Sequence, residues 1–113
     1  MGIGFVFPGQ GSQSVGMGRA FYDAVPSARR VYEEASCVLG YDAAALCFEG
    51  PAERLNRTEF TQPALLTASI AALRALEPSG LRPVAVAGHS LGEYSALVAA
   101  GGCSFETAVS LVQ

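Results

Sequence analysis

A short apolar run, Ile3 to Phe7, is closed by Pro8 and Gly9, and its length and composition predict a buried strand rather than a helix. A polar, glycine-rich loop, Gly9 to Ser14, follows, and then a weak helical stretch from Met17 to Ala24. Pro26 stands at a first helical position, and Ala28, Val31, Tyr32, Ala35, Val38 and Leu39 recur at helical spacing before Gly40, a C-terminal stop. Asp42 to Arg57 reads as two short helical turns that cover the core, one capped by Asp42 and one with Pro51 in its first turn. From Gln62 to Leu76 apolar residues lie on nearly all sides, which predicts a helix buried around most of its circumference. Pro78 to Gly80 breaks that run. Val84 to Ala87 is then continuously apolar, the pattern of a parallel strand covered on both faces. Glu93 to Ala100 is helical by composition and is stopped by Gly101 and Gly102. Ser104 caps a last amphipathic helix carrying Phe105, Ala108, Val109 and Val112.

Strand, helices, strand and helix in this order make an α/β pattern without internal repeats. Two strands alone leave sheet edges and apolar faces open, and the last helix reaches Gln113 without a stop signal. The expectation is therefore that residues 1–113 are the N-terminal part of a single larger domain. Composition narrows the class. Half the residues are hydrophobic and 15% are charged, which excludes a disordered chain. Seven arginines, no lysine and a net charge of -3 provide no basic run for nucleic acid. The start of the chain lacks a basic segment before its apolar run, and no run approaches the roughly 20 residues that cross a bilayer. Cys37, Cys47 and Cys103 are odd in number and widely spaced, which fits reduced thiols better than a disulfide framework or a metal site. A cytoplasmic protein without a metal or redox cofactor is expected.

Gly88-His89-Ser90-Leu91-Gly92 matches GxSxG, in which a serine occupies a sharp strand-to-helix turn. In a chain with 13 glycines the bare pattern is a weak signal, and its position between a predicted strand and a predicted helix is what strengthens it. Ser90 is the candidate nucleophile. The following helix turns its N-terminal dipole and free N–H groups toward a developing oxyanion, with the Leu91 N–H as first donor. A second donor must come from another loop, and the flexible Gly9-Gln10-Gly11 segment, through the Gln10 N–H, is the one available. Serine needs a base. His89 is the only histidine, but successive strand side chains leave on opposite faces, so His89 is badly placed to take the Ser90 proton and reads as packing or pocket wall. Glu93 reads as a helix-start carboxylate. The base is expected beyond Gln113.

Three motifs in order, Phe7-Pro8-Gly9-Gln10-Gly11-Ser12-Gln13, Thr61-Gln62-Pro63-Ala64 and Gly88-His89-Ser90-Leu91-Gly92-Glu93-Tyr94-Ser95, resemble the malonyl-CoA:acyl carrier protein transacylases. The resemblance spans the whole chain and about the first third of such an enzyme. It implies an α/β-hydrolase-like acyltransferase core with a nucleophile elbow, here without its later strands and its small ferredoxin-like subdomain. It also implies ping-pong transfer of malonate from coenzyme A to Ser90 and then to the phosphopantetheine thiol of acyl carrier protein, in fatty acid biosynthesis. By matching positions, Gln10 and Leu91 supply the oxyanion hole, Gln62 lies near the acyl pocket, and Leu91 is of the malonyl-selective type. The family's histidine and its carboxylate-binding arginine fall in later sequence, so this chain alone is expected to be inactive; the full-length form is expected to be a monomer.

Three alternatives compete. A serine esterase or thioesterase would share Ser90 and finish with water, but the Gly9 to Gln13 loop is not the glycine run of those enzymes. An acyltransferase domain of a polyketide synthase would share the chemistry, and the start at Met1, just ahead of the first strand, argues for a separate protein instead. A truncated, non-catalytic copy would explain the missing base.

Overall fold

The computed structural model describes residues 2–113, so Met1 lies outside the described residues. Strand β1 (Gly4–Phe7) is followed by helices α1 (Arg19–Ala24), α2 (Pro26–Leu39), α3 (Ala43–Glu49), α4 (Ala52–Leu55) and α5 (Thr58–Leu76). A single 3-10 turn then leads to strand β2 (Ala85–Gly88) and helices α6 (Gly92–Ala99) and α7 (Phe105–Val112). The two strands are parallel, with Gly4 opposite Ala85 and Phe7 opposite Gly88. This is an α/β arrangement in which helices dominate.

Local signals account for most of the boundaries. Pro26 opens α2, where its missing N–H costs nothing, and Gly40, at φ 81°, ends it in the left-handed conformation that glycine adopts without strain. The Asp42 side chain accepts the Ala45 N–H at 3.0 Å and caps α3. Ser104 accepts from Thr107 N at 3.1 Å and caps α7. Pro51 is the residue before α4 rather than inside its first turn, and helix α1 begins at Arg19, after Gly18, instead of Met17.

Helix α5 departs further from the sequence pattern, starting at Thr58, four residues before Gln62. The Phe60 and Thr61 N–H groups both donate to the Arg57 carbonyl, closing the first turn, and Pro63 is carried inside the helix. Its burial is also uneven: Thr61 to Thr67, Ile70 and Ala71 are largely buried, whereas the last turn opens toward solvent.

The core lies between helices. Tyr32, Leu55, Leu66, Ile70 and Val109 are fully enclosed, as is Cys47, and the Tyr22 ring meets those of Tyr32 and Phe48 edge-on. All three cysteines are free thiols. No helix among the described residues is long and apolar enough to cross a membrane.

The sheet corrects the expectation of strands covered on both faces. Phe5, Phe7, Val86 and Gly88 alternate with exposed Gly4, Val6, Ala85 and Ala87, because α6 packs across one face only. Val6 is 82% exposed and Val84 76%. In this chain the apolar runs therefore mark one covered face and one bare one.

Candidate active site

Ser90 is the middle residue of the three-residue turn between the end of β2 and the start of α6, and among the described residues it is the only non-glycine with a positive φ, 56°. An L-residue pays steric strain in that region, so the surrounding packing must hold it there. The flanking glycines show how. A Cβ on Gly88 would lie 2.0 Å from the Gly92 carbonyl carbon and oxygen, and a Cβ on Gly92 would lie 2.2 Å from the Phe7 carbonyl oxygen. Strand, turn and helix thus approach more closely than any side chain allows. Ser90 is exposed at the top of this junction.

The helix start is less open than its dipole suggests. Gly92 N donates to His89 O at 2.9 Å, Glu93 N to Ser90 O at 3.1 Å and Tyr94 N to Leu91 O at 2.9 Å. Of the expected free N–H groups, the Leu91 N–H is the one left without a protein acceptor among the described residues. The Leu91 side chain is buried in the core, which anchors the turn immediately after Ser90.

The glycine loop reaches this turn. Past Phe7 and Gly88 the strands continue side by side, with His89 N donating to Phe7 O at 3.2 Å. A Cβ on Gly9 would lie 2.3 Å from the His89 carbonyl oxygen and 3.1 Å from the Ser90 Cβ. Gln10 is the next residue, and its N–H has no protein acceptor among the described residues. The loop was expected to be flexible but is braced: Ser12 N donates to Gly9 O at 3.2 Å and Gly11 N to Gln13 Oε1 at 2.8 Å.

His89 is exposed, and its backbone is fixed at both ends, the N–H by Phe7 and the carbonyl by Gly92. Gln62 is half-buried on α5, one turn after Thr58, and lines a cleft with Thr58, Glu59, Val112 and Gln113. That cleft includes neither Ser90 nor Leu91. An apolar cleft of about 480 Å³ between β1 and α5, lined by Val6, Phe7, Met17, Leu65 and Leu73 among others, does not include Ser90 either. The structure therefore gathers Gln10, His89, Ser90 and Leu91 around one turn and sets Gln62 apart from them. Two residues that no sequence pattern singled out, Asn56 and Thr58, reach the loop through their side chains, at 2.8 Å from Gln13 Nε2 and 3.0 Å from Gln10 Nε2.

Comparison with known proteins matches residues 4–113 to the acyl transferase domain family. A malonyl CoA-acyl carrier protein transacylase of Bacillus subtilis (strain 168) is 55% identical over 111 residues, which is 98% of this chain and 35% of that protein. The solved malonyl CoA-acyl carrier protein transacylase of Coxiella burnetii superimposes with a TM-score of 0.96 at 51% identity, over 99% of this chain and 36% of its own. A malonyl-transacylase solved in complex with its type II polyketide acyl-carrier protein gives a TM-score of 0.95 at 51% identity, over 99% of this chain and 37% of its own. The chain spans about a third of the length of these relatives.

Proposed function

The chain belongs to the acyl transferase domain family, and from that premise we propose that it forms the N-terminal part of a malonyl-CoA:acyl carrier protein transacylase, with Ser90 as the nucleophile of an elbow. In the first half-reaction the Ser90 hydroxyl oxygen attacks the malonyl thioester carbonyl. The new C–O bond forms, the C–S bond breaks, and coenzyme A departs as the thiol carrying the serine proton. In the second, the phosphopantetheine thiol of acyl carrier protein takes the malonyl group and the proton returns to Ser90.

Between these states the carbonyl oxygen carries charge, which the Leu91 and Gln10 N–H groups receive. His89 contributes pocket wall, and Gln62 the approach to the acyl group. The general base and the arginine that pairs with the malonate carboxylate belong to the two thirds of the family's length outside this chain, as do the later strands and the ferredoxin-like subdomain. Residues 1–113 alone then carry the nucleophile without turnover. The carrier protein serves fatty acid or polyketide synthesis.

The observation that supports this reading best is the strained φ of Ser90, held by two glycines that leave no room for a side chain, beside an uncommitted Leu91 N–H. The test is intact mass after incubation with malonyl-CoA, for the chain alone and for the chain fused ahead of the remaining two thirds of the Bacillus subtilis relative. A malonyl adduct in the fusion, absent from its Ser90→Ala variant, is expected. An adduct that survives Ser90→Ala, or a folded fusion that never acquires one, refutes the assignment.

A further inference from the structure

We propose that Asn56 and Thr58 are positioning residues that fix the Gln10 N–H beside Ser90, an inference that rests on the reading of Gln10 as an oxyanion donor. The segment they belong to, between α4 and α5, is itself hydrogen-bonded into its surroundings. Asn56 N donates to Ala52 O at 2.9 Å, and the Arg57 carbonyl receives the Phe60 and Thr61 N–H groups at 2.9 and 2.8 Å. The buried Thr61 hydroxyl lies against the Leu55 and Arg57 carbonyls, tying this turn to the core.

From that anchor two bonds cross to the glycine loop, each joining residues more than 40 positions apart. Gln13 Nε2 donates to Asn56 Oδ1 at 2.8 Å, and Gln10 Nε2 donates to Thr58 Oγ1 at 3.0 Å. The other end of the Gln13 amide is also engaged, Oε1 accepting the Gly11 N–H at 2.8 Å, so both polar atoms of that side chain are committed. Gly11, at φ 109°, lets the chain reverse between the two glutamines. Three bonds therefore surround the residue whose N–H is needed. Gln10, Asn56 and Thr58 are all exposed, so the brace adds little to stability, and its consequence is where the Gln10 backbone sits. Oxyanion stabilisation depends on donors held at hydrogen-bond distance from the developing charge, and small displacements cost rate.

The test uses the chain fused ahead of the remaining two thirds of the Bacillus subtilis relative and carrying Ser90→Cys, because a thiol at this position can be both acylated and alkylated. Its thiolate attacks malonyl-CoA, a new C–S bond forms, and coenzyme A leaves as the thiolate through an oxyanionic intermediate. Alkylation of the same thiol by iodoacetamide passes through no oxyanion and reads only access and ionisation. Rates at each cysteine are resolved by peptide mass mapping, with exposed Cys37 as internal reference. Adding Asn56→Ala together with Thr58→Val is expected to slow malonylation about ten-fold while leaving alkylation within about two-fold, and Thr58→Ser in place of Thr58→Val to recover most of the loss. Unchanged malonylation, or both reactions slowing together, overturns the positioning role. If Ser90→Cys alone malonylates no faster, relative to its alkylation, than Cys37 does, the oxyanion reading fails and the positioning role falls with it.

Discussion

Gly92→Ala isolates the steric demand at the heart of the site. Gly92 is the first residue of α6 and its φ is not positive, so alanine meets no conformational obstacle and gains up to about 1 kcal/mol in helix propensity. Space is the obstacle. The new methyl carbon would stand 2.2 Å from the Phe7 carbonyl oxygen, 2.8 Å from its carbon and 3.0 Å from the Pro8 carbonyl oxygen, where ordinary contact begins at 3.4 Å. All three atoms are backbone, so β1 and α6 must part by about 1 Å. The Phe7 carbonyl also accepts the His89 N–H, and that bond goes with it. Overpacking of about 1–3 kcal/mol plus a lost hydrogen bond of about 1 kcal/mol, less the propensity gain, leaves a net cost of about 1–4 kcal/mol, centred above about 2. Gly40→Ala is the matched control, with open space around it but φ at 81°, so it pays only the left-handed penalty of about 1 kcal/mol. Urea unfolding followed by far-ultraviolet circular dichroism gives both costs, provided the slope is unchanged. If Gly92→Ala costs no more than Gly40→Ala, close strand–helix approach is not what holds Ser90 in place.

Two further outcomes test the core and the helix ends. Burial pushes the Cys47 thiol from 9.0 up to about 12, so above pH 9 the unfolded chain loses a proton that the folded one keeps. Stability should therefore fall as pH rises from 9 toward 12, by up to about 1.4 kcal/mol per pH unit, and be insensitive to this group below 9. Burial also raises the Tyr32 pKa from 10.0, which adds to the fall above pH 10, so the urea midpoint between pH 9 and 10 is the reading that Cys47→Ala should flatten. Asp42→Ala should lose about 1 kcal/mol by the same urea assay, whereas Asp42→Asn keeps an acceptor for the Ala45 N–H and should lose much less; equal losses would show that charge, not the capping bond, is what Asp42 supplies.

What could be read from the sequence divides along physical lines. Asp42, Ser104 and Gly40 act on their own helix ends within a few residues, so their chemistry is visible in any window that contains them. The Ser90 turn is legible in part for the same reason, since Gly88 is required by its contact with Gly92 inside the strand–turn–helix unit, whereas Gly92 is required by the Phe7 and Pro8 carbonyls across the sheet. In that sense GxSxG is a steric statement, half of it local and half of it about how closely β1 approaches the turn. Coverage of the sheet is different. Val84 to Ala87 has the apolar run of a fully covered strand, yet Ala85 and Ala87 are exposed here, because burial depends on which other elements are packed against the strand. The start of α5 was missed because the Arg57 carbonyl closes its first turn through polar residues that show no apolar period. Asn56 and Thr58 are the limiting case, exposed polar side chains whose partners lie more than 40 residues away. Neither periodicity nor propensity marks such a pair, and only the fold shows that the loop beside Ser90 is held from outside its own motif.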